Sequence, residues 1–182
     1  GWNIAPFVGA GTGSNQSIDV SKSLIQLYKS ENDQNRLNLW ITETATNPAG
    51  LVINDPFPKK LITTGLGATA VNQNNNFTVT RYADVVLMYA EALFMQSPAR
   101  VSEAHAEVNK IRTRAGMSSY TAATLTLDNI LKERQLELSF EGHRWFDLLR
   151  TGRAKSVMTS VLGATVPDFQ LLFPIPISEI QK

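Results

Sequence analysis

Between Arg81 and Gly163 apolar residues recur every three or four positions, and Pro98 is the only proline in the run, the pattern of successive amphipathic helices. In "RYADVVLMYAEALFMQ" the residues Tyr82, Val85, Val86, Tyr89, Ala92 and Leu93 form one stripe, while Leu87, Met88, Phe94 and Met95 cover much of the remaining circumference. A helix apolar nearly all round is expected to lie between neighbours. "VSEAHAEVNKIRTRAG" places Val101, Ala104, Val108 and Ile111 on one face and reaches Gly116, a residue suited to a left-handed helix stop. A third helix is expected over 127–141. Its stripe of Leu127, Ile130, Leu131 and Leu138 also contains Arg134 and Glu141, with Leu136 and Phe140 opposite.

The first two helices are joined through Ser97-Pro98, which suits Ser as N-cap and Pro at the first helical position, with small Ala92 and Ala104 where backbones would approach. That arrangement resembles a tetratricopeptide helical hairpin. The third helix poses a different problem, because burying a charge costs several kcal/mol per ion unless it is paired. Partners are present: Asp84 and Glu91 on the first helix, and Arg112, Arg114, Arg144 and Arg150 as bidentate donors to carboxylates. The expectation is a set of internal ion pairs involving Asp84, Glu91, Arg134, Glu141, Arg144 and Arg150.

The part before Phe77 is unlike the rest. It holds eleven of the thirteen Asn, together with Pro6, Pro48, Pro56, Pro58, Gly9, Gly11 and Gly13, a composition of long ordered loops. "SKSLIQLYKSENDQNRL" offers one helix behind Ser21 or Ser23, and "NNFTVTRY" alternates like a short strand. The expected fold is mainly α: tetratricopeptide-like hairpins with long irregular loops and at most a short strand pair. Residues 1–76 would form a loop-rich, ligand-facing segment and 77–182 a helical core, within one structural domain.

Composition narrows the function. A chain of 182 residues that is 43% hydrophobic has enough length to bury roughly 70% of its extended surface. The net charge is +1, without a dense basic block, so the footprint of a nucleic-acid binder is missing. The absence of Cys removes disulfides, thiolate metal sites and Cys nucleophiles. No apolar window reaches the ~18 residues of a spanning helix. The opening "GWNIAPFVGAG" has neither initiator Met nor a signal pattern, as expected of a processed chain or a fragment.

Candidate chemistry has to be weighed against packing. Asp84 and Glu91 could act as acid and base, but seven residues of helix separate their Cα atoms by about 10 Å, wider than a retaining carboxylate pair. Glu133, Glu137 and Glu141 share a face, yet neither His105 nor His143 has the Glu three positions before it that a carboxylate-bridged metal site uses. His143 follows Gly142 at a helix break and reads as a capping or packing residue, with no nucleophile elbow elsewhere. "GAGTGSNQS" lacks the Lys-Ser/Thr of a phosphate loop. Metal and cofactor are therefore not expected. Trp2, Tyr28, Trp40 and Phe57 lie among Asn3, Asn38, Asn47, Asn54 and Asp55, a mixture in which flat rings cover sugar C–H patches and amides bond hydroxyls. The same aromatics also suit a role as anchors of long loops.

The segments "RYADVVLMYAEAL", "VNKIRTRAGM", "ERQLELSFEGHRWFDLLRTGRA" and "LFPIPISEI", in that order, resemble the SusD/RagB family of nutrient-binding outer-membrane lipoproteins. The resemblance places the chain in the C-terminal part of such a protein, without the N-terminal lipidated Cys, much of the tetratricopeptide-like half or the final tail. It implies a helical, non-enzymatic protein at the cell surface that binds oligosaccharide or polysaccharide and caps a SusC-like TonB-dependent transporter. The matching motifs are scaffold and ligand contacts come from variable loops, so Trp2, Tyr28, Asn38 and Trp40 are proposed on chemistry alone. Two other functions stay open: a helical scaffold that binds only proteins, and a carbohydrate-active enzyme domain.

Overall fold

The computed structural model describes residues 20–46, 52–54, 56–60, 78–172 and 174–180. The chain divides into two compact units, Gly1–Glu141 and Gly142–Lys182.

In the first unit, α1 (Lys22–Ser30) starts where the Ser21 side chain accepts from the Leu24 amide. Asn32, at φ 58°, turns the chain into α2 (Gln34–Trp40), whose N-cap Asp33 accepts from the Arg36 amide. Two helices therefore stand where one was expected. From α2 the chain runs into a narrow ribbon: β1 (Ile41–Thr42) pairs antiparallel with β4 (Phe57–Pro58), and β2 (Ala45–Thr46) with β3 (Val52–Ile53). The register places Ile41 opposite Pro58 and Ala45 opposite Ile53. The expected strand at "NNFTVTRY" is irregular over 78–81, and its earlier residues lie outside those described.

The hairpin of α3 (Tyr82–Met95) and α4 (Val101–Arg114) is present. Its turn differs from expectation. Pro98 sits in the connection behind a cis peptide bond, and α4 begins at Val101 with Arg100 in the cap position. The Arg100 amide donates to Leu93 O at 3.0 Å, which closes the hairpin. The helices meet through Ala83, Ala90 and Ala104, all buried, whereas Ala92 faces outward. At the far end the Met117 amide donates to Arg112 O and the Gly116 amide to Thr113 O, with Gly116 at φ +76°, the Schellman arrangement.

Helix α5 (Leu127–Glu137) opens with a reciprocal cap, Thr126 accepting from the Asn129 amide and Asn129 from the Thr126 amide. It stops four residues earlier than expected because Phe140 takes φ 67° and Gly142 φ 83°. This helix, and not α3, is the enclosed one. Ile130 belongs to an apolar cluster with Leu87, Leu93, Val108 and Ile111 of the hairpin. Leu136 belongs to a second with Ile25, Tyr28, Leu37 and Ile41. Between them Glu133, Arg134 and Glu137 are buried as well.

The second unit contains α6 (Arg144–Arg150), α7 (Ala154–Leu162), a 3-10 turn over Asp168–Leu171 and α8 (Ile177–Ile180). Leu148, Ala154 and Val166 are its buried apolar residues, and Gly163 ends α7 at φ +66°.

Candidate functional site

The charges that accompany α5 form one connected cluster. Arg36, on α2, donates through Nε to Asp33 at 2.5 Å and through Nη1 to Glu133 at 2.7 Å and Glu137 at 3.1 Å. The other Glu133 oxygen accepts from Arg112 Nη1 of α4 at 2.9 Å. That guanidinium also donates to Ser118 O and stacks on the Tyr120 ring, 4.0 Å from its centroid. Glu137 is further paired with Arg81 at 2.7 Å and with Arg114. Arg81 holds Glu141 with two bonds, at 2.7 and 2.9 Å. On the adjoining face of α5, Arg134 Nη1 donates to Asp84 at 2.9 Å.

The end of α5 is capped by two cations from the loop-rich side. Lys60, just past β4, donates to Glu137 O at 2.6 Å and Ser139 O at 3.2 Å and pairs with Glu141 at 2.5 Å. Arg81 Nη2 donates to the same Glu137 carbonyl at 2.6 Å. Positive charge at a helix C-terminus bonds carbonyls left without intrahelical partners and opposes the helix dipole. Burial lowers the Lys60 pKa to about 8 although Glu141 favours its ammonium. Burial alone would raise Glu141, but bonds from Arg81 and Lys60 hold it below the ordinary glutamate range. Burial likewise works against the Arg36 guanidinium, and Glu133 and Asp33 outweigh it to keep that group charged.

Glu133 and Glu137 therefore have both oxygens occupied by guanidinium groups, and Glu141 by Arg81 and Lys60. The run at i, i+4 and i+8 is an ion-pair ladder. Among the described residues no three His, Asp or Glu side chains are grouped so as to hold a metal ion.

The residues expected to bind ligand are scattered. Trp2 lies outside the described residues, as do Asn3, Asn47, Asp55 and the Gly-rich "GAGTGSNQS". Tyr28 is corrected: it is 0% exposed, and its hydroxyl donates to Leu136 O at 2.7 Å and lies 2.7 Å from Ser139 Oγ. Burial raises its pKa, so the phenol stays neutral. With its ring in the core and its hydroxyl spent, it anchors α1 to α5 and offers a ligand nothing. Asn38 is exposed and Trp40 half-buried on α2. Two positions apart on a helix, they do not share a face. The Trp40 ring carries the Lys60 ammonium 3.6 Å from its centroid, its carbonyl accepts from the Lys59 amide at 2.8 Å, and it packs against the second apolar cluster. It is thus a fixed ring holding the ribbon, with part of its surface open.

The remaining expected ion-pair residues divide between the two units. Glu91 is half-buried on α3. In the second unit Arg150 donates to Asp147 through Nε at 2.8 Å and Nη2 at 2.7 Å. Arg144 is half-buried, and burial lowers its pKa against the pull of the same Asp147. Sequence reasoning missed Asp33, Arg36, Lys60, Arg81 and Asp147. The spacing Asp33-x-x-Arg36 behind a cap is the one signal that pointed to any of them.

A SusD family model matches residues 11–182, and the chain belongs to that family. Among curated relatives, SusD-like protein P38 of Formosa agariphila is 37% identical over 103 residues, covering 50% of this chain and 20% of its own length. SusD-like protein P2 of the same organism is 32% identical over 130 residues, 64% of this chain and 26% of its own length. Among solved structures, a laminarin binding SusD-like protein superposes with a TM-score of 0.65 at 31% identity, over 90% of this chain and 36% of that one. A SusD homolog from Bacteroides thetaiotaomicron gives 0.71 at 23% identity, over 87% and 41%, a likeness of fold. The chain spans well under half the length of each of these proteins.

Proposed function

We propose that the chain is part of a cell-surface, outer-membrane lipoprotein that binds a glycan and passes it to a SusC-like TonB-dependent transporter. The observation that carries the reading is family membership, joined to likeness over nine-tenths of the chain to a laminarin binding SusD-like protein. The ion-pair cluster supports a binding role over catalysis, because its carboxylates are held by cations and leave no acid–base pair free to exchange protons with a substrate. No helix among the described residues is long and apolar enough to cross a membrane. Attachment in this reading is through a lipid at the N-terminus of the longer family polypeptide.

Trp40, Trp2 and Asn38 are the proposed ligand contacts. Trp40 suits the role because the Lys60 ammonium and the apolar cluster fix its ring before any ligand arrives, so little rotamer freedom is lost on binding. Calorimetric titration with laminarin, its oligosaccharides and a panel of other polysaccharides tests the reading. Binding without turnover is expected, weakened by Trp2→Ala or Trp40→Ala in chains that circular dichroism shows to be folded, Trp40→Ala also lowering the melting temperature because its ring packs against the second apolar cluster. Equal affinity in both variants would remove those assignments. Release of sugar that disappears in Asp84→Asn would replace binding with hydrolysis.

A further inference from the structure

Lys60 joins the buried ion cluster to a proposed ligand contact. The Lys59 amide donates to Trp40 O at 2.8 Å, one step beyond the pairing of Ile41 with Pro58. The next side chain then falls beside the Trp40 ring, with the Lys60 ammonium 3.6 Å from its centroid. That side chain is only 10% exposed. Three acceptors surround the ammonium: Glu137 O at 2.6 Å, Ser139 O at 3.2 Å and the Glu141 carboxylate at 2.5 Å. An ammonium has three N–H donors, and these acceptors occupy all of them. The other charges facing it are Arg81, at the approach to α3, and the Glu137 carboxylate, itself held by Arg36, Arg81 and Arg114. Tyr28 reaches Ser139 as well, and burial raises its pKa, so the phenol stays neutral at moderately alkaline pH.

We propose that Lys60 is a positioning residue for Trp40: its ammonium, anchored by three acceptors, holds the indole in its binding orientation, so that ligand affinity falls on the alkaline side. The inference rests on the reading of Trp40 as a glycan contact. A neutral amine has two N–H donors and no charge. Loss of the proton therefore removes the cation–π attraction and leaves one of the three acceptors without its donor. Arg81 still donates to Glu137 O and to both Glu141 oxygens, so the cluster keeps its other bonds and the change falls on the ring. Burial brings the Lys60 pKa down to about 8, which puts the transition within reach of ordinary buffers. The sign separates this device from unfolding. Stability rises with pH as the folded chain releases the proton before the unfolded chain does, whereas affinity falls.

The chain has three Trp, few enough for 5-fluorotryptophan labelling, with the Trp40 fluorine resonance assigned by its loss in Trp40→Phe. Between about pH 7 and pH 9.5 that resonance should shift with a midpoint near 8. Over the same range the Kd for laminarin should rise about 5-fold, the scale of one cation–π contact, while the melting temperature does not fall. Lys60→Arg keeps its charge throughout, so its resonance and its Kd should both stay constant. Lys60→Met, checked for folding by circular dichroism, should bind at the weaker alkaline level at every pH and show no shift. A Trp40 resonance that does not move, or moves equally in Lys60→Met, overturns the proposal. So does an unchanged Kd beside a moving resonance, the result expected of a lysine that only supports the fold. Silence from laminarin at every pH would be a failure of the functional reading, and the resonance alone then decides: a Lys60-dependent shift upholds the positioning of Trp40, and its absence overturns it.

Discussion

Replacing Arg36 with Met tests whether the ion cluster around α5 holds the first unit together. Arg36 is 3% exposed and faces Asp33, Glu133 and Glu137, which are 0%, 0% and 1% exposed. Met keeps the apolar stem and removes the charge. Glu133 would retain Arg112, and Glu137 would retain Arg81 and Arg114. Asp33 would keep the residue-36 backbone amide at 3.3 Å but lose the guanidinium that donates to it at 2.5 Å. Removing one partner of a buried pair costs about 3–5 kcal/mol. Arg36 Nη2 is enclosed without an acceptor among the described residues, so its loss refunds some desolvation and places the expected cost at the lower end, about 3 kcal/mol.

That loss is a large share of the roughly 5–15 kcal/mol that holds a typical domain together. With a urea m-value of about 2 kcal/mol/M, the midpoint followed by circular dichroism should fall by about 1.5 M. The mechanism is separated from simple core damage by a double-mutant cycle with Glu133→Leu. If Arg36 matters because Glu133 is buried beside it, the double variant should be more stable than the sum of the single losses implies, by at least ~1 kcal/mol. A loss below about 1 kcal/mol for Arg36→Met, or strict additivity in the cycle, would show that the cluster follows the fold without holding it.

Arg134→Met should cost a few kcal/mol by removing the bond to buried Asp84, and a shift under about 0.5 kcal/mol in urea unfolding would place that pair in a solvated setting. Gly116→Ala should cost about 1–3 kcal/mol, because φ is +76° and the new Cβ would collide with Asn35 Nδ2, which donates to Ala115 O at 3.0 Å; an unchanged melting temperature would contradict it. Lys60 titrates near 8 when folded and about 10.4 when unfolded, so between these values the unfolded chain holds a proton that the folded chain does not. Stability should therefore rise with pH from about 8 to 10, by ~2 kcal/mol, and Lys60→Met should flatten the rise; equal slopes in both proteins would refute the assignment. Above pH 10 the buried Tyr28 phenol, whose pKa is raised, acts in the opposite sense, which sets the upper limit of that measurement.

The hairpin was legible in the sequence because a 3.6-residue period persists across both helices, but the inward face of α3 was not. A helix apolar nearly all round has no preferred direction in its pattern. What orients it is the pair of Asp84 with Arg134 together with the small Ala83 and Ala90 against Ala104. The need for paired charges on α5 was equally legible, since Arg134 and Glu141 stood in an apolar stripe. Most of their neighbours were hidden. Arg36, Lys60 and Arg81 come from a short polar helix, a ribbon end and a helix approach, where nothing local marks a buried cation. Strands of two residues are shorter than any alternation can reveal. Tyr28 among amides read equally well as ligand platform or anchor, and the decision came from Ser139 and Leu136, more than a hundred residues away.

These contacts also explain why the sequence pattern could identify a family and not a ligand. Arg81 opens "RYADVVLMYAEAL", Arg112 and Arg114 lie in "VNKIRTRAGM", and Glu133, Arg134, Glu137 and Glu141 lie in "ERQLELSFEGHRWFDLLRTGRA". All of them are partners in the buried cluster or in the Asp84–Arg134 pair. Each of the three segments supplies one side of the same charges, and an error on one side strands a carboxylate or a guanidinium on the other. A residue committed in that way cannot change with the ligand. In the proposed role, specificity would reside in side chains that the cluster leaves free; the open surface of Trp40 and the exposed amide of Asn38 are among those described residues, while buried Tyr28 is not.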